Sequence, residues 1–535
     1  MQIARIGGSH TRLYSADVVG AKAANIARMA ALGLPVPPAF VLPVKLGAAI
    51  LAGDADGERS LLAGLAEGIS YLEETTGRRF GDRRRPLLVS VRSGAAQSMP
   101  GMMDTVLDLG CTLTAVRGLV RMTGNPRFAW DCRRRLLEGY AGVVLGLDPK
   151  PFDACLAQRL AHEGVTTDRD LDTDAWQHVA ADYQTLVDAH AERLPDDPMV
   201  QLVAATRAVY RSWLSPRAVS YRQIQKLQHL EGTAVTVQAM VFGNRGLTSG
   251  AGVAFSRDPS TGDRQPIIDV IFDAQGEDVV SGRRTPDTAE TIAQSLPAVA
   301  TELRAVLAQL ERAFGDVQDV EFTIEDGKLW ILQTRSAKRT PRAALRIAID
   351  LVEEGLITSQ EAMRRVDGLD VTALGRARFV DPGDAVACGI GASDGVAVGR
   401  AAFNSTSAER LAAHNDPVIL FRPETTTADI AGFAAASGIV TAVGGRTAHA
   451  ALVARQMGTP CVVGCAAILV DVTVHRARVG EVVIEEGDWV SVDGGSGCVY
   501  LGRRDVVVER PDAALALVAR WRSAGAAVRG EALQE

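Results

Sequence analysis

The residues most able to do chemistry lie in one short run, Thr441-Ala-Val-Gly-Gly-Arg-Thr-Ala-His449-Ala-Ala-Leu-Val-Ala-Arg-Gln-Met-Gly458. The spacing predicts a strand over Gly438–Thr441, two glycines, then a helix starting near Thr447, a good N-cap residue. Gly458 closes that helix and Pro460 follows it. His449 therefore falls in the first helical turn. Free backbone N–H groups and the positive end of the helix dipole stabilise an anion there. The same field disfavours a protonated imidazole and leaves it nucleophilic near neutral pH. Gly444 and Gly445 let a phosphate group approach the backbone. Arg446 and Arg455 either add positive charge or are solvated. The bland alternative is a half-buried histidine at a helix start. His10, His162, His178, His190, His229, His414 and His475 lack this setting and are read as structural.

A second group alternates along a predicted hairpin over 320–333 that turns at Glu325-Asp326-Gly327-Lys328. Asp319 and Glu321 share one face of the first strand, and Gln333 and Arg335 share one face of the second. Paired carboxylates suit Mg²⁺, which takes hard oxygen ligands and bridges nucleotide phosphates, and an arginine beside them suits phosphate. A solvent-facing ladder of ion pairs is the competing account. Two weaker signals accompany the hairpin. The apolar run Leu87–Val91 delivers Arg92 into a loop of small residues that includes Gly94, Pro100 and Gly101. Such a loop can wrap phosphates with backbone N–H groups. A strand at Ala234–Val241 leads into Gly243, Gly246, Gly250 and Gly252, which match neither a Walker loop nor a dinucleotide fingerprint.

These groups need elements to hold them, and 535 residues allow three to four domains. Ala21–Leu34 reads as a helix stopped by Gly33 and the prolines after it, and residues 116–230 look mostly helical. The chain then turns β-rich, with strands at Gly252–Phe255, Ile267–Phe272, Val320–Ile324 and Leu329–Gln333. Residues 341–385 look helical and then irregular, as a linker would. From 386 onward short strands (Val396–Phe403, Val418–Phe421, Gly438–Thr441, Cys461–Val463, Trp489–Val492, Val499–Leu501) surround one or two helices, and a last helix covers Ala513–Ala524. A net charge of −7 gives no reason to expect nucleic acid or an anionic membrane as partner. No apolar run reaches the length of a membrane span, and the N-terminus lacks a signal-peptide core. The 7 cysteines are scattered, which predicts reduced thiols in a cytoplasmic protein rather than disulfides.

The segment GGRTAHAALVAR resembles the phosphohistidine motif of the phosphoenolpyruvate-utilising enzymes, usually GG-x-T-S-H-A-A-x-x-A-R, with Ala448 standing where serine is usual. SVRSGAAQSMPGMMDTVLDLG, TGNPRFAWDCRRRL, DAQGEDVVSGRRTP and GAKAANIARMAALGLPVPPAF resemble, in order and spacing, segments of the pyruvate phosphate dikinase family, from about Gly20 to about Gly502. The resemblance implies a multidomain α/β and α+β chain, an ATP-grasp domain followed by a swivelling β/α phosphohistidine domain. It implies boundaries at 1–340 (nucleotide-binding), 341–385 (linker), 386–505 (phosphohistidine) and 506–535 (helix and tail). It places Lys22, Arg92, Gly101 and Arg335 at phosphates, and Met240 and Val241 beside adenine. It also puts Glu277 near the nucleotide, and Asp319, Glu321 and Gln333 at Mg²⁺. The activity implied is phosphorylation of His449 by ATP and inorganic phosphate, with Arg92 and Arg335 assisting. The family's phosphoenolpyruvate/pyruvate barrel is not expected in this chain. That points to a partial reaction, with a partner chain carrying the barrel or another acceptor, and leaves room for a homodimer. A catalytically decayed ATP-binding regulator is the alternative.

Overall fold

The computed structural model describes residues 2–97, 99, 102–190, 193–280, 284–369, 374–424, 429–446 and 448–531. They group into two compact units, Met1–Gly246 with Trp330–Thr334, and Leu247–Leu329 with Arg335–Glu535.

The first unit is built on an antiparallel five-stranded sheet. Its strands are β1 (Ala4–Ile6), β2 (Ala39–Leu42), β3 (Val89–Ala95), β4 (Thr105–Leu109) and β5 (Thr233–Ala239), in the order β1-β2-β5-β3-β4. Every residue of β2 and β5 is buried, because helices cover the sheet and both side-chain sets become core. Phe40, Val89, Val91 and Val237 form its centre. Helix α1 spans Ala16–Ala31, capped by the Ser15 hydroxyl and interrupted at Gly20 (φ 80°, ψ 154°). The expected helix thus starts earlier, carries a break near its predicted start, and ends three residues sooner, because Gly33 turns the chain at φ 77°. Helix α2 (Pro126–Tyr140) begins with Pro126 behind the Asn125 cap, whose side chain accepts from Phe128 N at 3.0 Å.

The second unit contains two large sheets, besides a three-stranded and a two-stranded one. In the first, β6 (Gly250–Phe255) pairs antiparallel with β7 (Ile267–Phe272) on one side and with β9 (Gln318–Glu325) on the other, while β8 (Asp287–Thr288) extends the β7 edge. Asp326 (φ 50°) and Gly327 (φ 74°) turn β9 into β10 (Lys328–Ser336). Positive φ at two successive residues is the tight hairpin geometry that the Asp-Gly pair favours. Helix α3 (Pro341–Glu353) comes next, with Thr340 as its cap.

The second sheet has eight strands. They are β12 (Ala387–Cys388), β13 (Ile390–Ser393), β14 (Val396–Ala402), β15 (Val418–Arg422), β16 (Gly438–Thr441), β17 (Cys461–Val463), β18 (Trp489–Asp493) and β19 (Cys498–Leu501), in the order β12-β19-β18-β14-β15-β16-β17-β13. Strands β14, β15, β16 and β17 are parallel, so each pair needs a helical crossover. Three helices supply these, Ser405–Ala413, Ile430–Ala435 and α4 (His449–Met457), where the sequence predicted one or two. The chain enters and leaves this region side by side: β11 (Arg376–Phe379) pairs antiparallel with β20 (Val506–Glu509).

Cys388 and Cys498 form a disulfide, against the expectation that all seven thiols stay reduced. A sequence separation of 110 hides the proximity, and the β12–β19 register sets the two residues directly opposite. The neighbouring Cys461 and Cys465 remain thiols, which burial pushes up to about 12 and about 11.

Candidate functional site

In the first unit the fold gathers Lys22, Arg92, Met240, Val241 and Gln333. Lys22 lies two residues past the Gly20 break, where α1 meets β3. A Cβ on Gly20 would sit 2.6 Å from the Gly94 carbonyl carbon and closer still to its oxygen, so only glycine allows the approach. Gly94 is fixed in turn by its N–H, which donates to Thr233 Oγ1 at 3.0 Å. Arg92, half-buried on β3, stands two residues before Gly94 and pairs with Thr105 of β4 and Thr236 of β5. The Asn25 amide of α1 donates to Thr334 O at 3.0 Å, and Pro35 O accepts from Ile331 N at 2.8 Å. These two bonds tie the middle of β10, with the buried Gln333, to the helix that carries Lys22. Met240 is buried at the end of β5, its N–H donating to Leu88 O at 3.0 Å, and Val241 beside it is half-buried. Gly101 lies outside the described residues.

The segment just after Met240 and Val241 is held by a network that sequence reasoning missed. Asp131 of α2 accepts from Asn244 Nδ2 at 2.7 Å and pairs with Arg134 at 2.6 Å and Arg135 at 3.0 Å. Asn125, the α2 cap, donates to Arg245 O at 3.4 Å. Burial works against the Asp131 charge, yet the two guanidinium groups and the Asn244 bond hold its carboxyl well below the usual carboxylate range. The only signal in the sequence was the charged run inside TGNPRFAWDCRRRL, and Asn244 lies more than a hundred residues away from it.

The second unit gathers Asp319, Glu321, Arg335, Glu277 and His449. Asp319 is 2 % exposed, so the hairpin is not a solvent-facing ladder. Its Oδ2 accepts from Arg335 Nε at 2.8 Å, while its buried Oδ1 has no hydrogen-bond partner. Burial pushes the Asp319 carboxyl up, and Arg335 pulls it back only in part. Desolvation opposes the Arg335 charge, but Asp319 and Glu321 outweigh it and raise Arg335. Among the described residues no group of three or more His, Cys, Asp or Glu is arranged around a metal. The unpartnered Oδ1 and the Glu321 carboxylate two residues on fit an ion that takes one or two protein carboxylates and completes its shell with phosphate oxygens and water. Glu277 is exposed on the short helix Gly276–Val280.

His449 is the first residue of α4, at the carboxyl end of the parallel strand β16, where open α/β sheets collect their ligands. The cap is Ala448 (φ −61°, ψ 156°), which makes no side-chain cap bond, rather than the expected Thr447, which lies outside the described residues. Extended backbone at 448 sets the helix start one residue later. Gly458 closes α4 in the left-handed conformation (φ 71°), as the sequence predicts. Arg455 is not solvated. It is fully buried, with Nη2 donating to Arg446 O at 2.6 Å and Nη1 to Ala392 O at 3.0 Å. Arg446 in turn donates from Nε to Gly391 O at 3.1 Å. Both arginines thus brace the loop before His449 against β13.

Two family models match the chain. "Pyruvate phosphate dikinase, AMP/ATP-binding domain" covers residues 58–301 and 290–355, and "PEP-utilising enzyme, mobile domain" covers residues 414–497. Among curated proteins the chain is similar to the pyruvate, phosphate dikinase of Rhizobium meliloti (strain 1021), 43% identical over 95% of this chain and 58% of the relative. It is 41% identical to that of Clostridium symbiosum over 91% of this chain and 56% of the relative. It is 43% identical to the chloroplastic enzyme of Flaveria trinervia over 91% and 52%. The chain therefore spans about half the length of these relatives.

Proposed function

The chain belongs to the pyruvate phosphate dikinase AMP/ATP-binding domain family, and on that premise we propose that it phosphorylates His449 at the expense of ATP and inorganic phosphate. The β-phosphoryl group ends on the imidazole, the γ-phosphoryl group on inorganic phosphate, and AMP and pyrophosphate leave. The observation that carries this reading is the placement of His449 as first residue of a crossover helix, in the same compact unit as the Asp319–Arg335 pair. Backbone N–H groups at that helix start favour the phosphorylated over the free imidazole. Lys22, Arg92 and Arg335 neutralise phosphoryl charge, while Met240 and Val241 line the adenine and Glu277 approaches the nucleotide. Asp319 and Glu321, with Gln333, would hold Mg²⁺, which would supply charge shielding for the phosphates.

The nucleotide-binding part is assigned to 1–340, the linker to 341–385, the swivelling part to 386–505 and the last helix to 506–535. Support for a swivel comes from the β11–β20 ladder, which brings the entry and exit strands side by side. The phosphoryl group then passes to pyruvate on a barrel carried by a partner chain, or to another acceptor. The proposed setting is the cytoplasm, against which the Cys388–Cys498 disulfide counts; no helix among the described residues is long and apolar enough to cross a membrane.

The test incubates the chain with Mg²⁺ and ATP labelled on the β-phosphate, with and without inorganic phosphate. The expected outcome is acid-labile, alkali-stable label on wild type and none on His449→Ala, with AMP and pyrophosphate released, and none after Mg²⁺ is chelated. ATP binding without label on wild type would overturn the phosphocarrier reading in favour of a nucleotide-binding regulator.

A further inference from the structure

The GGRTAH loop does not stand clear of the sheet that carries Asp319. A Cβ added at Gly445 would come within 2.7 Å of Pro286 Cδ and 3.0 Å of Asp269 Oδ2, so the glycine lies flat on β7 and the segment before β8. A Cβ at Gly464 would meet Gly444 O at 2.7 Å and Thr285 Cγ2 at 3.1 Å. The loop is therefore seated, and its seat is made of residues far away in sequence.

Arg455 belongs to helix α4 of the module and reaches the seat at Phe255. Its two terminal nitrogens hold Arg446 O on the loop and Ala392 O on β13. The same Ala392 oxygen accepts from Ser260 Oγ at 3.1 Å, from the turn between β6 and β7. The guanidinium carbon stands 5.3 Å from the ring centroid of Phe255, the last residue of β6. No carboxylate makes an ion pair with Arg455 among the described residues. Burial works against its charge, and the field of Asp319, Asp269 and Asp258, all on the sheet side, offsets that only in part. A fully buried cation is costly unless its charge is compensated. The carboxylate part of that compensation comes from the sheet side, whereas the two carbonyls belong to the module itself.

We infer that Arg455 is the positioning residue that latches the His449 loop onto the sheet bearing Asp319, holding the phosphohistidine module where it accepts the phosphoryl group. The inference rests on the proposed function for its role and on the packing for its existence. Removing the latch leaves the acceptor imidazole chemically intact but poorly presented, and a misplacement near 1 Å lowers such a transfer about a hundredfold.

The experiment compares Arg455→Met, Arg455→Lys and Ser260→Ala in the full chain. Three readings are taken: the ATP-driven labelling rate of His449, ATP affinity, and labelling of His449 by phosphoramidate, which needs no docking. Arg455→Met is expected to lose about a hundredfold in the ATP-driven rate. ATP affinity and phosphoramidate labelling should stay within about twofold, and Arg455→Lys should recover part of the rate. Hydrogen exchange over 441–446 and 285–287 is expected to quicken in Arg455→Met. An ATP-driven rate and exchange pattern equal to wild type would overturn the latch. Should Arg455→Met not fold, Ser260→Ala decides: unchanged exchange over 285–287 and 391–393 refutes it. An unlabelled wild type whose exchange still responds to Arg455→Met would refute the phosphotransfer reading and leave the latch standing.

Discussion

Gly20→Ala tests how the first unit presents Lys22. The backbone at Gly20 (φ 80°, ψ 154°) is a region that glycine alone adopts at low cost, and a β-carbon strains it by about 1–3 kcal/mol. Strain is the smaller effect. The new Cβ would meet the Gly94 carbonyl carbon at 2.6 Å, against 3.4 Å for an ordinary contact. The atom it meets is backbone, fixed by the Gly94 bond to Thr233, so no side chain can yield. Helix α1 must move off β3 by about 1 Å, and Lys22 moves with it, a displacement that lowers phosphoryl transfer about a hundredfold. Gly33→Ala is the control, because Gly33 also has positive φ (77°) but its Cβ would meet nothing within 4 Å. That variant carries strain alone, about 1–2 kcal/mol. Isothermal titration with ATP and the rate of His449 labelling are the assays. Weakened ATP binding and slowed labelling in Gly20→Ala, with near-wild-type values in Gly33→Ala, are expected. Wild-type affinity and rate in Gly20→Ala would refute the argument that the Gly20–Gly94 approach places Lys22.

Asp319→Asn keeps the shape of the Arg335 contact and removes a carboxylate whose charge burial already disfavours, so little stability should be lost in urea denaturation while the Mg²⁺-dependent label on His449 is lost. Asp131→Asn breaks a buried network and should cost about 3–5 kcal/mol at neutral pH. Because the folded Asp131 carboxyl is depressed, that advantage is complete above about pH 4 and shrinks as pH falls below it. The gap in denaturation between wild type and variant is therefore narrower at pH 3 than at pH 7; an equal gap at both would refute the assignment. Reducing the Cys388–Cys498 bond, which closes a loop of 110 residues, should cost about 2–4 kcal/mol, seen as a lower melting midpoint in dithiothreitol that Cys388→Ser does not show.

Much of this protein was legible in short windows. The helix that starts at His449 and stops at Gly458, the strands Gly438–Thr441 and Cys461–Val463, and the turn at Asp326-Gly327 arise from local propensity and period, which act within a few residues. The alternation of Asp319 and Glu321 with Val320 and Phe322 fixed which side chains share a face. It did not reveal that Asp319 is buried against Arg335, because burial depends on what covers the face. Only the tertiary structure decided that Arg455 lies inside rather than in solvent, since its partners Ala392 and Phe255 belong to other elements. The same holds for the contact of Gly20 with Gly94, the bond from Asn244 to Asp131, the pairing of Cys388 with Cys498 and the ladder between Arg376–Phe379 and Val506–Glu509. Each joins segments separated by tens to hundreds of residues. Such contacts are set by sheet order and register, and no local pattern in one sequence encodes them.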